Sequence, residues 1–484
     1  MCIASKKLNP TYKNAIERVC IEAVHHPLLR QIGTVADALQ LETYAVGGFV
    51  RDTLLGRASK DLDIVCVGDG MLLAKAVAHA FDKTLPVTLF KTFGTAMLEW
   101  QGWIFEFVGA RKESYDAASR NPSVTQGTLA DDQLRRDFTI NAMAICLNKA
   151  HAGMLLDPFQ GQDDLAEGII RTPCDPVQTF SDDPLRMIRA IRFSTQLGFK
   201  ISEDTLQALA AMRDRLSIVS QERIAEELHK IVASSKPSHG FQLLLETKLL
   251  EYIFPEMVHL VGQEQICIHS HKDNFSHTLE VLDNVAQHST KLWLRWAAIF
   301  HDIAKPLTKR FDPVHGFSFH GHEVLGAKMV PSIFRRMKFP IYKEVMGYVQ
   351  KLVRLHLRPI ALVNEVTDTA IRRLLYEAGE DLEDLFLLCR ADITSKNETR
   401  VQRYLANFAK VEAKILDVEA RDSIRNFQPV ITGKVIMDRF GLKPSPAVGR
   451  IKEAVKEAIL EGKIKNTYEE AFHYMKTIGC ELLA

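Results

Sequence analysis

Gly47-Gly48-Phe49-Val50-Arg51-Asp52, followed shortly by Lys60-Asp61-Leu62-Asp63, decides how the first part of this 484-residue chain reads. Tyr44-Ala45-Val46 before it predicts a short strand, Phe49–Leu55 a helix stopped by Gly56, and Leu62–Val67 a buried strand. Two glycines between a strand and a helix let the backbone approach a phosphate closely. The start of the helix offers free N–H groups and the positive end of its dipole to an anion, and Arg51 adds a guanidinium. Asp61 and Asp63 are two apart on a strand, so both carboxylates face the same side. Like charges side by side repel unless divalent cations lie between them. Paired carboxylates holding two Mg²⁺ ions suit an in-line attack on a phosphate. An Asp-x-Asp alone is as well explained by a solvated edge strand; the Gly-Gly-x-x-Arg-Asp upstream argues for chemistry.

Outward from this core, Ala96–Trp100 and Trp103–Val108 alternate as a hairpin around Gln101-Gly102. Glu106, flanked by Phe105 and Phe107, is a candidate third carboxylate. Arg135-Arg136-Asp137, running through Asn141 into what reads as an apolar helix, adds candidate phosphate and sugar contacts in Arg136, Asp137 and Asn141. Beyond about residue 165 helical patterns dominate, as in Leu185–Leu197, Ser220–Ala233 and Leu292–Ile303. The expected fold is α+β: a small mixed α/β head over 1–165, a helical neck over 166–240, a helical body over 241–400, and a helical tail over 401–484. Lys+Arg 61 against Asp+Glu 60 gives a net charge of +1, so any nucleic-acid surface must be a local patch. No apolar run reaches the roughly 18–20 residues of a membrane span. MCIASKKLNP lacks the apolar core of a secretion signal. Eight cysteines without a C-x-x-C pair suggest reduced thiols. A cytoplasmic protein without a membrane partner is the expectation; the oligomeric state is not readable.

Taken together, these residues resemble the class II tRNA nucleotidyltransferase and bacterial poly(A) polymerase family. The resemblance continues in order along the chain. Leu156-Asp157-Pro158-Phe159 and Gly161–Leu165 look like the head-to-neck link. Asp182-Asp183-Pro184-Leu185-Arg186, with Arg189, Arg192 and Phe193, is similar to the family's base-reading motif, with Asp182 where the family usually has Glu. Ser220-Gln221-Glu222-Arg223 with Glu226 looks like its supporting helix, and Ile431-Thr432-Gly433 and 462–466 like the tail. The resemblance implies tRNA, CTP and ATP as partners and Mg²⁺ as the head's cofactor. The implied reaction rebuilds the 3′-terminal CCA of tRNA without a template. A poly(A) polymerase and an A-only or CC-only enzyme share these motifs. The stretch 109–134 is a candidate loop for switching from C to A.

Asp183 and Arg186 are three apart and are expected to share a helix face. A carboxylate only accepts hydrogen bonds and a guanidinium only donates. Cytosine and adenine each present an amino donor beside an acceptor ring nitrogen, so Asp183 and Arg186 match both. Uracil and guanine place a carbonyl where the amino group should be. Such a mismatch discriminates by on the order of 10⁴-fold in favourable cases. The plainer reading is an intrahelical ion pair worth about 0.3–0.5 kcal/mol.

Nine of the 17 histidines fall between His269 and His356. In that window His277, His301-Asp302 and, further on, Asp392 occur in the order His…His-Asp…Asp. This resembles the HD superfamily of metal-dependent phosphohydrolases, placed at about 270–395. Imidazole and carboxylate ligands suit Mn, Ni, Fe or Mg better than a structural zinc. Lys305 is a candidate phosphate contact, and His322 and His356 are candidates for a second shell or second metal. Each histidine alone is as well read as structural. Residues 433–466 hold eight basic and four acidic residues, a solvated helix face or a contact for tRNA phosphates. In a contrasting reading the chain is an HD nucleotide hydrolase whose head has become a regulatory nucleotide-binding module.

Overall fold

The computed structural model describes residues 10–91, 94–114, 123–262, 264–266, 269–271, 273–362, 367–394, 398–422 and 428–483. Part of the 109–134 stretch, residues 115–122, lies outside them. The chain divides into two units, Met1–Pro255 and Glu256–Ala484.

In the first unit the strands are β1 (Thr43–Val46), β2 (Asp61–Cys66), β3 (Thr88–Phe90), β4 (Thr95–Trp100), β5 (Trp103–Gly109), β6 (Arg111–Ser114), β7 (Ser123–Gln126), β8 (Ala144–Cys146) and β9 (Leu155–Leu156). Seven of them form one sheet in the order β3-β4-β5-β2-β1-β8-β9, and β6 pairs with β7 as a separate ribbon. Within the seven-stranded sheet only β2 and β5 run parallel. The β4–β5 hairpin turns at Gln101 and Gly102, both at positive φ, which matches the twist of the flanking strands.

Alternation along the strands separates the two faces. Leu62, Ile64, Ala96, Leu98, Phe105 and Phe107 are buried, the last four against the helix Gly70–Phe81. Each buried phenylalanine contributes roughly 1.5–3 kcal/mol. The intervening Asp61, Asp63 and Glu106 are left on the open face.

The expected apolar helix after Arg135-Arg136-Asp137 is not there. The helix comes before it, Leu129–Leu134, opened by a capping box between Thr128 and Asp131. A single 3-10 turn, Thr139–Asn141, then leads into β8. Phe138, Ile140 and Ala142–Leu147 are all buried, and a short apolar run buried on every side reads alike as helix or strand.

Next come the helices Pro176–Asp182, Leu185–Leu197, Glu203–Met212, Gln221–Val232 and Pro237–Glu246. Leu185–Leu197 ends at Gly198, whose φ of 75° suits a left-handed cap. It packs against Gln221–Val232 and Pro237–Glu246.

The second unit is built mainly of helices. At its centre is Leu292–Phe300, where Leu294–Phe300 are all buried. A helix buried on all sides belongs in the middle of a core, and Trp296, Phe300, Phe334 and Phe339 pack there ring against ring. Its last turn leads directly into His301-Asp302. Three helices, Gly433–Phe440, Pro446–Leu460 and Tyr468–Leu483, close the chain. No helix among the described residues is long and apolar enough to cross a membrane.

Candidate active site and candidate metal centre

Strand register places the head's carboxylates. Asp63 lies directly beside Glu106 on parallel β5, and Asp61 lies one alternation further along beside Ile104. Crowding by protein atoms raises the pKa of Asp63, and the neighbouring Asp61 adds to the rise while Arg136 opposes it. Glu106 is raised by burial and then by Asp63, with Arg111 opposing. Three hard oxygen donors that repel one another suit a divalent cation such as Mg²⁺.

Gly47 closes the other side of Asp63. Its φ is 71°, and a Cβ there would come 2.9 Å from Asp63 Oδ2 and 3.2 Å from Arg136 Nη1. Only glycine meets both the conformation and the space. Gly48 opens the helix Gly48–Leu54. Arg51, on that helix, is buried. It holds Asp52 through Nε and Nη2 (2.9 and 2.8 Å) and donates Nη1 to Asn141 Oδ1 at 2.8 Å. Its guanidinium also lies 5.0 Å from the centre of the Phe193 ring. The structure therefore gives Arg51 a place in a buried network behind the glycines.

That network runs onward. Asn141 donates to Asp137 Oδ1 at 3.0 Å, and Arg189 donates twice to Asp137 Oδ2, from Nε at 2.8 Å and Nη2 at 2.5 Å. Burial alone would raise the Asp137 pKa; Arg189 and Asn141 hold it down at about 2. Arg192 forms an ion pair with Glu227 at 2.6 Å and stacks 3.9 Å over Phe193. Burial brings the Arg192 pKa down to about 10 against the pull of Glu227.

Asp63, Glu106, Arg111, Arg135, Arg136, Asp137, Asp183, Arg186, Arg189 and Arg223 line one cleft. Carboxylates stand on the sheet side, and the pair expected to read bases stands on the helical side. Arg186 donates to the Arg135 carbonyl at 2.5 Å. Asp183 lies 3.7 Å from Arg223, and its Oδ1 accepts from Leu185 N at 3.2 Å.

One expectation is corrected here. Asp183 and Arg186 do not share a helix face: Asp183 caps the preceding helix in extended conformation, and the next helix begins at Leu185. Pro184 is the signal that finds this, because a residue before proline is pushed out of the helical region. On the helix Gln221–Val232, Glu227 is the residue that pairs with Arg192, and Glu226 beside it is exposed. Glu227 falls on the buried stripe with Ile224, Leu228 and Ile231. Asp132 belongs to none of the motifs legible in the sequence. It is fully buried and binds Arg135 with one oxygen and Arg136 with the other. Its i,i+3 and i,i+4 spacing to the two arginines was the available clue.

The second unit gathers the histidines. Around Asp302, 1% exposed, His277 Nε2 lies 3.4 Å and His301 Nε2 3.2 Å from Oδ2. On the other oxygen, Oδ1, His322 Nε2 lies at 3.2 Å and His356 Nε2 at 3.9 Å. Asp392 Oδ1 is 2.9 Å from His277 Nε2 and 3.6 Å from His301 Nε2. Every one of these rings is held by its other nitrogen. His277 Nδ1 meets Thr394 Oγ1, and Nδ1 of His301, His322 and His356 meets the carbonyls of Ala298, Phe319 and Val353, at 2.6–2.9 Å. Such bonds fix ring orientation and leave Nε2 for a metal. His301 Nε2 is buried with no aligned hydrogen-bond partner.

The electrostatics agree with a cation site. Burial alone would lower the His301 pKa, yet Asp302 and Asp392 hold it at about 10. His356 is pushed to about 4 by burial and by His301. Two triads, His277/His301/Asp302 and Asp302/His322/His356, each bring their ligand atoms within 4.8 Å of one another. Lys305 Nζ is 2.5 Å from Asp302 Oδ2. Among the tail lysines, Lys463 is paired with Glu461 at 2.6 Å, and Lys456 with Glu453.

Comparison with known proteins matches three stretches of the chain to family models. Residues 43–171 match the model of the poly A polymerase head domain, 198–260 that of the probable RNA and SrmB-binding site of polymerase A, and 274–397 the HD domain. The A-adding tRNA nucleotidyltransferase of Deinococcus radiodurans is 31% identical over 88% of this chain and 93% of its own. The CC-adding enzyme of Thermus thermophilus is 30% identical over 89% and 92%. In fold the chain is similar to the Bacillus stearothermophilus CCA-adding enzyme solved with CTP, with a TM-score of 0.64, 21% identity and coverage of 98% and 99%. The chain belongs to the tRNA nucleotidyltransferase and poly(A) polymerase family, as an enzyme with an HD domain in its second half.

Proposed function

We propose that this chain adds or repairs the 3′-terminal CCA of tRNA, using CTP and ATP without a template. The observation that carries this is the single cleft in which Asp63 and Glu106 face Asp183 and Arg186 across a ring of arginines. Asp61, Asp63 and Glu106 would hold Mg²⁺, which when bound offsets the charge that develops on the α-phosphate. The rest falls to the chain. Gly47 keeps the floor beside Asp63 open to phosphate. Arg136, held by Asp132, presents its free Nη1 there. Asp183 accepts from the amino group of cytosine or adenine and Arg186 donates to the adjacent ring nitrogen. The terminal 3′-hydroxyl of the tRNA then displaces pyrophosphate from the α-phosphate.

One relative adds A and another adds CC, at nearly equal identity, so similarity alone assigns neither specificity. The edge shared by C and A is the ground on which both nucleotides are proposed as substrates. Incubation of tRNA lacking CCA with each NTP alone, then with CTP plus ATP, tests it through the 3′ ends. CC from CTP alone and CCA from both support the proposal. Addition of one nucleotide type only assigns a partial activity, a long A run a poly(A) polymerase, and no extension an HD hydrolase with a regulatory head.

For the second unit, the cluster around Asp302 supports a metal-dependent phosphohydrolase acting on phosphomonoesters or 2′,3′-cyclic phosphates. Two carboxylates and four oriented imidazoles would hold divalent ions such as Mn, Ni, Fe or Mg, which activate water for attack on phosphorus when bound. Phosphate release that requires added metal and stops with chelator tests this.

A further inference from the structure

Two helices of the second unit carry histidines of the metal cluster and also wall a cleft that none of those histidines lines. His322 opens the helix His322–Arg336, and the helix Tyr348–Leu355 runs into His356. On their buried side the two pack closely: a Cβ at Gly326 would come 3.2 Å from Val353 Cγ1. On the solvent side they flank a cavity of about 440 Å³, a volume in the range of small-molecule sites. Pro331, inside the first helix, has no N–H to give the Ala327 carbonyl four residues back. Gln350 Nε2 from the facing helix donates to that carbonyl at 3.0 Å and ties the two walls together. A π turn, Lys343–Gly347, feeds the second wall, a rare form found frequently at functional sites.

The lining is basic. Gln350, Lys351 and Arg354 share one face of the second wall, and Ala327 and Lys328 face them from the first. Lys351 is half-buried, with its ammonium held by Asp381 at 2.7 Å and by the Ala378 carbonyl at 3.2 Å. Lys328 and Arg354 are exposed and, among the described residues, have no ion-pair partner. Glu377 is the one carboxylate of the lining. Either unpaired cation alone is an ordinary solvated side chain; two of them beside a held lysine, around one cavity, make a site for an anion. We propose that this cleft binds a small phosphorylated molecule. Lys328 and Arg354 hold its phosphate, the guanidinium in the two-pronged geometry that suits phosphate oxygens. Val324 and Leu355 cover the apolar side of its body, and Glu377 accepts a hydrogen bond from a hydroxyl or amino group on it. Size favours a free ester, since the cavity takes one small ligand, whereas an RNA backbone is met by cations spread along a groove. The cleft shares no residue with the head's arginine cleft or with the cluster around Asp302, so the proposal goes beyond both proposed reactions and its test depends on neither.

The test is titration calorimetry of the full-length protein with ribose 5-phosphate, in chelator so that neither metal site contributes, and with ribose as the control. Lys328→Gln and Arg354→Gln remove charge at exposed positions without partners, so the double variant is expected to fold, which melting confirms. Wild type should bind ribose 5-phosphate but not ribose, and more weakly as salt rises. The double variant should bind at least about tenfold more weakly, the effect of one lost hydrogen bond to a charged group. Acylation of Lys328 in the wild type, read by peptide mass spectrometry, should fall when ribose 5-phosphate is present, which separates this cleft from the arginines of the head. No binding, equal affinity in the two proteins, or no protection of Lys328 overturns the proposal. A double variant that loses affinity for tRNA and not for ribose 5-phosphate also overturns it and assigns the two cations to an RNA backbone.

Discussion

Asp183→Ala should change which nucleotide is chosen. Asp183 stands outside the helices, its side chain 21% exposed, 3.7 Å from an Arg223 side chain that is 41% exposed. A pair that open and that long contributes well under about 1 kcal/mol to stability, so the variant should fold with a small shift in melting. Its value to selectivity is larger. A hydrogen bond from a base amino group to a carboxylate is worth roughly 1.5–3 kcal/mol, or about 10- to 150-fold. C and A lose that advantage and U and G never had it, so the ratio of CTP to UTP incorporation should fall by about that factor. The assay is kcat/KM for all four NTPs on tRNA lacking CCA, with Arg186→Ala in parallel, which should weaken both correct substrates. An unchanged CTP:UTP ratio with normal melting would refute base reading at Asp183.

Three other outcomes follow from particular contacts. His301→Ala or Asp302→Ala should abolish metal-dependent phosphohydrolysis and leave nucleotide addition near wild type; loss of both activities in a folded variant would contradict separate sites. Glu227→Ala leaves Arg192 buried without its partner and should cost about 3–5 kcal/mol in urea unfolding, while Glu226→Ala should stay within about 0.5 kcal/mol; equal effects would remove Glu227 from the support of Arg192. Asp137 has its pKa depressed from an ordinary 3.8 to about 2, so it stabilises the fold above pH 4 and loses that contribution, roughly 2 kcal/mol, as the pH falls from 4 to 2. The stability gap between wild type and Asp137→Asn should close over that interval, and a constant gap would show that Asp137 is not the titrating group.

What the sequence revealed was what short spacing encodes. Gly47-Gly48 and Asp61-x-Asp63 lie within one turn or one strand, and alternation between Phe105 and Phe107 was enough to put Glu106 on the acidic face. The β4–β5 hairpin was readable from two turn residues. Pairings set by tertiary contact were not: Arg192 with Glu227, Arg186 with the Arg135 carbonyl, and His277 with Thr394 join segments 35 to 117 residues apart. The histidine cluster was visible as an excess of one residue type, but only packing shows that His322 and His356 share Asp302 with His277 and His301. Arg51 was read as a direct phosphate ligand from its place beside the glycines. Its bonds to Asp52 and Asn141, and the Phe193 ring 5.0 Å from its guanidinium, are set by packing between distant segments.

The most direct test of the account is single-turnover transfer of CMP to tRNA lacking CCA by Asp61→Ala and Asp63→Ala proteins, with tRNA binding measured alongside. If these carboxylates hold the ions that neutralise the reacting phosphate, each variant should bind tRNA normally and transfer at least about 10³-fold more slowly. Transfer near the wild-type rate by either variant would contradict the assignment of the chemistry to this wall of the sheet.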